Sequence, residues 1–451
     1  MTNLNETFAA RLEKLGIRVP EVFLPAPGTD LHDWSVVACD QHVSARDYWA
    51  SVEKAVGDSP STLHLILPEV YLEEPDVPER VQRIRRTMQR YLDENVLTSR
   101  GEGLVYVRRT TPTSGLREGL MVAIDLERYD YSRGSKSLVR ATEGTITDRI
   151  PPRLAVRRGA PLELPHVMVL IQDAERQLIE GWGQRLDQLE RLYEVELMQG
   201  GGHLEGYRIH SPEHVAALLG ALERLLAQAI ADQGTSEPLF FAMGDGNHSL
   251  ATAKASWEET KARLGQSGAI LTHPARWALV ELVNVHSAGL RFEPIHRVVF
   301  TGKLEALTSA LRAETAIEHI APIGEEPLKA LLASPEGQRV AGYYDGDSFL
   351  ALTLKPGLGL PPAIVDAFFG RFHQTDPQAK IDFVHGWAHA RDLADQRQST
   401  RASAGVFLLP VLGRDRLFGH VAEHGPLPRK SFSMGDAEEK RYYMEARRIT
   451  L

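Results

Sequence analysis

The stretch Pro238-Leu239-Phe240-Phe241-Ala242-Met243-Gly244-Asp245-Gly246-Asn247-His248-Ser249-Leu250 decides how this chain is read. Its apolar run has the length of a buried strand. The run stops at Gly244-Asp245-Gly246, where glycine lets the backbone turn sharply. Residues 249–257 then predict a helix. The first N–H groups of a helix lack helical partners, and the helix dipole favours an anion there. Gly244, Gly246, Asn247 and Ser249 are therefore candidate contacts for a phosphate or carboxylate. Asp245 and His248 add chemistry: Asp245 can hold a metal or act as a base. The same pattern also makes a left-handed turn capped by Asn247 or Ser249.

The rest of the composition narrows the class. A chain of 451 residues exceeds the usual size of a single core, so two domains are expected. A net charge of −9 argues against a nucleic-acid binder held by phosphate contacts. Cys39 is the only cysteine, which excludes an internal disulfide and a cysteine zinc cage. No apolar run approaches the ~20 residues that cross a bilayer. The N-terminus lacks a basic-then-apolar leader. A cytoplasmic protein with a small-molecule partner, and neither nucleic acid nor membrane, is the expectation.

Periodicity predicts helices at 4–15, 44–56, 78–95 and 213–233. Strands are expected at 36–39, 63–67, 103–110, 120–126, 167–171, 277–285 and 292–300. Gly200-Gly201-Gly202 turns a hairpin between 194–198 and 204–209. Prolines make 151–165 read as irregular. Further on come helices at 304–314, 327–332 and 364–372, strands at 381–386 and 405–409, and a hairpin turned by Asp345-Gly346-Asp347. This irregular mixture reads as α+β with mixed or antiparallel sheets, not as a doubly wound parallel sheet. The division expected is a main domain, 1–310, carrying the turn, and a second α+β lobe, 311–451, with a lid-like tail around Gly435.

Polar clusters follow several apolar segments. Asp40-Gln41-His42 is one. The segment 142–153 brings Arg149 and Arg153, whose guanidinium forks suit phosphate or carboxylate. Glu293-Pro294-Ile295-His296-Arg297 opens another strand, and Asp382 and His385 share a later one. Among 17 histidines none forms a His-Glu-x-x-His helix; His385 and His389 are the nearest pair of that kind. A Mg²⁺ shared with substrate phosphates needs only one or two carboxylates, such as Asp245 or Asp40. Walker A, dinucleotide-fingerprint and nucleophile-elbow motifs are missing.

These segments carry a resemblance. Residues 36–42, 61–69, 147–153, 243–249, 293–297 and 433–443 together resemble the domain of unknown function 1015 family, over nearly the whole chain. That name carries no activity. The shorter motif Asp245-Gly246-Asn247-His248-Ser249 is similar to the Asp-Gly-His-His/Arg-Arg element of ParB-like proteins, which include the free-serine kinases. Asp245 and Gly246 agree and His248 matches the second histidine, whereas Asn247 and Ser249 replace the first histidine and the arginine. The resemblance implies that the element opens a helix at a nucleotide's phosphates, with the missing arginine supplied by Arg149, Arg153 or Arg297.

The function expected is a nucleotide-dependent small-molecule kinase, with free serine as the first acceptor to test. Asp245, His248 and Asp40 are the catalytic candidates. Gly244, Gly246, Asn247, Ser249, Arg149, Arg153 and Arg297 are the cofactor contacts. ATP or ADP is the nucleotide, and Mg²⁺ is held by Asp245. The alternatives are a metal-assisted hydrolase or lyase using Asp40, His42, Asp245, His248 and His385, and a non-catalytic nucleotide- or metabolite-binding protein.

Overall fold

The computed structural model describes residues 2–398, 403–434 and 439–451. The chain divides into two compact units, Met1–Ala141 with Thr145–Leu290 and Gly435–Leu451, and Thr142–Gly144 with Arg291–Met434. The sequence reading set its division at 310/311 and kept the C-terminal residues in the second lobe. The lid-like tail read around Gly435, Asp436, Ala437 and Glu438 lies outside the described residues.

The first unit is built on a ten-stranded sheet. In chain order its strands are β1 (Ile17–Arg18), β2 (Leu104–Thr111), β3 (Gly115–Asp125), β4 (Tyr129–Asp130), β5 (Val139–Arg140), β6 (Met168–Ile171), β7 (Glu190–Leu197), β8 (Gly202–Ile209), β9 (Phe241–Asp245) and β10 (Trp277–Asn284). They lie in the order β7-β8-β2-β3-β10-β6-β9-β5-β4, with β1 beside β3. Antiparallel pairs dominate, but β6 runs parallel to β10, and β5 parallel to both β9 and β4. The fold is α+β, as expected.

Both faces of the sheet are covered. On β2, Leu104 and Tyr106 enter one core with Leu120, Val169, Phe241 and Leu282. Val105 and Val107 enter a second core, with Trp34, Val36, Tyr91 and Tyr443. This is the period-2 alternation of a strand buried on both sides. Helix Pro212–Gln233 lays Leu218, Leu219 and Leu222 on the first core. By length and composition alone it is also long and apolar enough to cross a membrane. This corrects the expectation that no such segment exists: Glu223 and Arg224 interrupt the apolar run without lowering its average enough.

Three local expectations change. Residues 36–39 make a single bridge, Val37 to Tyr442, and no strand. Residues 62–65 form a 3₁₀ turn capped by the Ser61 hydroxyl. Helix Ile150–Arg157 runs through Pro151 and Pro152, because both occupy its first turn, where no helical N–H is needed.

The second unit holds a smaller sheet. Its strands, β11 (Phe292–Thr301), β12 (Ile317–Ile323), β13 (Val340–Tyr344), β14 (Phe349–Leu354), β15 (Lys380–His385) and β16 (Ser403–Leu408), lie in the order β12-β14-β13-β16-β11-β15. Phe432–Met434 pairs with the start of β11. Helices cover both faces, with Phe368 and Phe372 on one and Ala390 and Ala394 on the other.

Candidate functional site

Strand β9 is buried through Met243, and its pairing with β6 slips between Met243 and Asp245. That irregularity re-aims the chain at Gly244. Gly246 follows with φ +81°, and a Cβ there would lie 3.1 Å from Val167. Helix Asn247–Leu264 starts at once, longer at both ends than the predicted 249–257. Gly246 caps it with no side-chain bond, and its first turn carries no acidic residue. The first helical bond runs from the Leu250 N–H to the Gly246 carbonyl, so the N–H groups of 247–249 precede it.

A cation from the far end of the chain reaches this turn. Lys440 Nζ lies 2.6 Å from Asp245 Oδ2 and 3.0 Å from Asp40 Oδ2. Backbone bonds from Ala38 N–H to the Arg441 carbonyl and from Tyr443 N–H to the Val36 carbonyl hold it there. Burial disfavours the Lys440 charge, but Asp245 and Asp40 more than reverse this and hold the ammonium charged. Burial likewise pushes the Asp40 carboxyl up, and Lys440 and then His166 bring it below its ordinary range. Asp40 Oδ1 is buried without a hydrogen-bond partner, as are Asn247 Oδ1 and Thr145 Oγ1. Such atoms are costly unless something pairs with them.

Beside this pair lies His166, 8% exposed. Its Nε2 is 2.7 Å from Ser249 Oγ and its Nδ1 is 2.8 Å from the Tyr443 hydroxyl. Burial lowers its pKa, against the pull of Asp40, so the ring is neutral. The Cys39 thiol is pushed up to about 12 by burial and by Asp40, which leaves it protonated and a poor nucleophile.

The structure therefore brings Asp40, Asp245, Asn247, His248 and Ser249 into one neighbourhood, with Gly244 and Gly246 forming the turn. His248 Nε2 accepts from the Ile146 N–H, which ties the 145–149 loop to the helix. Arg149 is exposed on that loop. Arg153 is occupied: Nε and Nη2 bind Glu69 at 2.7 and 2.5 Å, and Nη1 donates to the Arg149 carbonyl. Arg297 must be corrected as a phosphate contact. It belongs to the second unit, is 0% exposed, and directs its guanidinium at Asp366 and at the Ile295 and Lys430 carbonyls. His385 ends β15 in that unit, and His389 sits on the next helix, so they share no helical face.

Lys440, His166 and Tyr443 escaped the sequence reading as site residues. Lys440 sits in the C-terminal charged run, which reads as an anion-binding lid or a surface tail without singling this lysine out. His166 directly precedes an apolar strand, which was its only signal.

No curated protein matches this chain. Among solved structures, a conserved hypothetical protein from Pyrococcus furiosus is similar at 9% identity and a TM-score of 0.34, covering 70% of this chain and 90% of its own. A free serine kinase in complex with AMP is similar at 9% identity and a TM-score of 0.35, covering 76% and 95%. SbnI with a C-terminal truncation, from Staphylococcus aureus, is similar at 9% identity and a TM-score of 0.34, covering 70% and 82%. The family model described as "Protein of unknown function (DUF1015)" matches residues 23–382, and the chain belongs to that family.

Proposed function

We propose that the first unit binds a nucleotide's phosphates at the 245–249 turn and transfers a phosphoryl group to the hydroxyl of a small molecule, free serine being the first acceptor to test. The observation that carries this reading is the Lys440 ammonium, fixed between Asp40 and Asp245 at the open end of the helix. Phosphoryl transfer asks little covalent chemistry of a protein; positioning and charge neutralisation do most of the work. Lys440 and the first helical N–H groups would meet the negative charge, and Arg149, exposed on the neighbouring Thr147–Arg149 turn, is the further cation to test. Asp40 is the base. It is ionised, and its Oδ1 makes no hydrogen bond within the protein; it would take the proton once the bound acceptor opens a path to that buried atom. The acceptor oxygen forms a bond to phosphorus, the bond from phosphorus to the nucleotide oxygen breaks, and the hydroxyl proton passes to Asp40.

Mg²⁺ fits here only in company with Lys440. Asp245, which would hold it, already gives Oδ2 to the ammonium, and its Oδ1 is the atom to offer. The ion would add positive charge at the phosphates. The hydrolase or lyase alternative has less support. Among the described residues, the group spaced to hold a metal ion is Glu194, His203 and Glu205 on the β7–β8 hairpin, which includes none of that alternative's residues.

The test is ³¹P NMR of the purified protein with ATP or ADP, Mg²⁺ and serine. Phosphoserine is the expected product, and Asp40→Asn should slow it by roughly 10²–10⁴-fold. Nucleotide binding without product from any hydroxyl acceptor would make the protein a sensor. No binding of either nucleotide would remove the site altogether.

A further inference from the structure

We infer that Tyr443 and His166 form a one-directional hydrogen-bond chain that makes the Ser249 hydroxyl a donor to the anion bound at the start of the Asn247–Leu264 helix. The inference rests on the phosphate-binding reading above and names how that anion is recognised.

The direction follows from counting protons. Tyr443 is 1% exposed, so its single phenolic hydrogen needs a partner inside the protein. Its oxygen accepts from the Cys39 N–H at 3.2 Å, and the Cys39 thiol lies beside it. The remaining neighbour is His166 Nδ1 at 2.8 Å. An imidazole nitrogen is a far better acceptor than a thiol sulfur, so the phenolic hydrogen goes to Nδ1. A neutral His166 then carries its own hydrogen on Nε2. Ser249 Oγ, at 2.7 Å, receives it; Asp40 Oδ2, at 3.8 Å, is beyond hydrogen-bond reach. Ser249 has thereby accepted, and its hydroxyl hydrogen is left for a ligand. His166 and Tyr443 are positioning residues, since they act on the ligand only through Ser249. The reverse chain would make Nε2 an acceptor and Ser249 a nucleophile, but it would strand the phenolic hydrogen on a weak acceptor in the core.

The tautomer can be read directly. The full chain is labelled with ¹⁵N-histidine, and His166 is assigned by the signal missing from His166→Gln. The expected result is hydrogen on Nε2, with Tyr443→Phe shifting the population toward Nδ1. Hydrogen on Nδ1 in the wild type would overturn the chain. Binding of inorganic phosphate and of ATP is then measured by calorimetry. Ser249→Ala should weaken both by about tenfold, the worth of one hydrogen bond to a charged group, and Ser249→Thr should restore them. An unchanged affinity in Ser249→Ala would overturn the donor role. A wild type that binds neither probe would instead defeat the phosphate-binding reading, while the tautomer measurement still judges the chain on its own.

Discussion

His166 is where the chemistry of the turn meets its stability. The ring is buried against Asp40, Lys440, Tyr443 and Ser249, with Asp245 and Glu69 nearby, and burial holds its pKa below the ordinary 6.5. The unfolded chain therefore binds a proton that the folded one resists. Its contribution to stability is complete above pH 6.5 and is lost as pH falls below that value toward the folded pKa. Each pH unit in that window costs up to about 1.4 kcal/mol for one such group. Denaturant unfolding between pH 7 and pH 5 should show His166→Gln with a shallower loss than the wild type. The difference between the two proteins is what counts, because His296, lowered to about 4 by burial, contributes its own slope to both. Parallel slopes would mean that His166 is equally easy to protonate in both states.

At the scale of elements, the strand–turn–helix around Asp245 depends on one glycine. Gly246 has φ +81°, and an added Cβ would press on Val167 Cα and Cγ2 at 3.1 Å. Gly246→Ala should therefore cost at least the roughly 1–2 kcal/mol of a left-handed non-glycine residue, read as a lowered denaturant midpoint. Phosphate binding should weaken with it, since the same turn presents the helix. This element was legible in the sequence because its signals are local: an apolar run, two glycines and a helical pattern sit side by side. The same holds for the β7–β8 hairpin and its three glycines. Where local signals misled, the reason is equally physical. Pro151 and Pro152 break a helix interior but suit its first turn, and only the position of the helix start tells the two apart. Residues 36–38 are apolar like a strand, yet their partners are residues 441–443, and the pairing ends after one bridge. Asp40 was found as a polar residue after that apolar segment, whereas Lys440, which gives it meaning, comes from 400 positions away.

The whole first unit shares that dependence on its last residues. The Trp34 indole donates to the Met444 carbonyl across 410 positions, and the Ser35 hydroxyl donates to the Tyr443 carbonyl. Arg441 pairs with Glu281 and Glu445, and Arg447 with Glu163, all buried. Removing one partner of a buried pair costs about 3–5 kcal/mol, because the other charge stays behind. A chain ending at Met434 would leave Glu281 with Arg117 alone, Glu163 with Arg157 alone, and Asp40 and Asp245 without Lys440, besides exposing the core that Tyr442, Tyr443 and Met444 help fill. These losses together are a large fraction of the stability of an ordinary domain. Hydrogen exchange on the truncated chain should therefore show lost protection in β10, which carries Glu281, while β11, β13 and β16 of the second unit keep theirs. A synthetic peptide of residues 435–451 added in trans should restore β10. If β10 stays protected without that segment, the buried ion pairs contribute little to folding, and the C-terminal residues serve the turn alone.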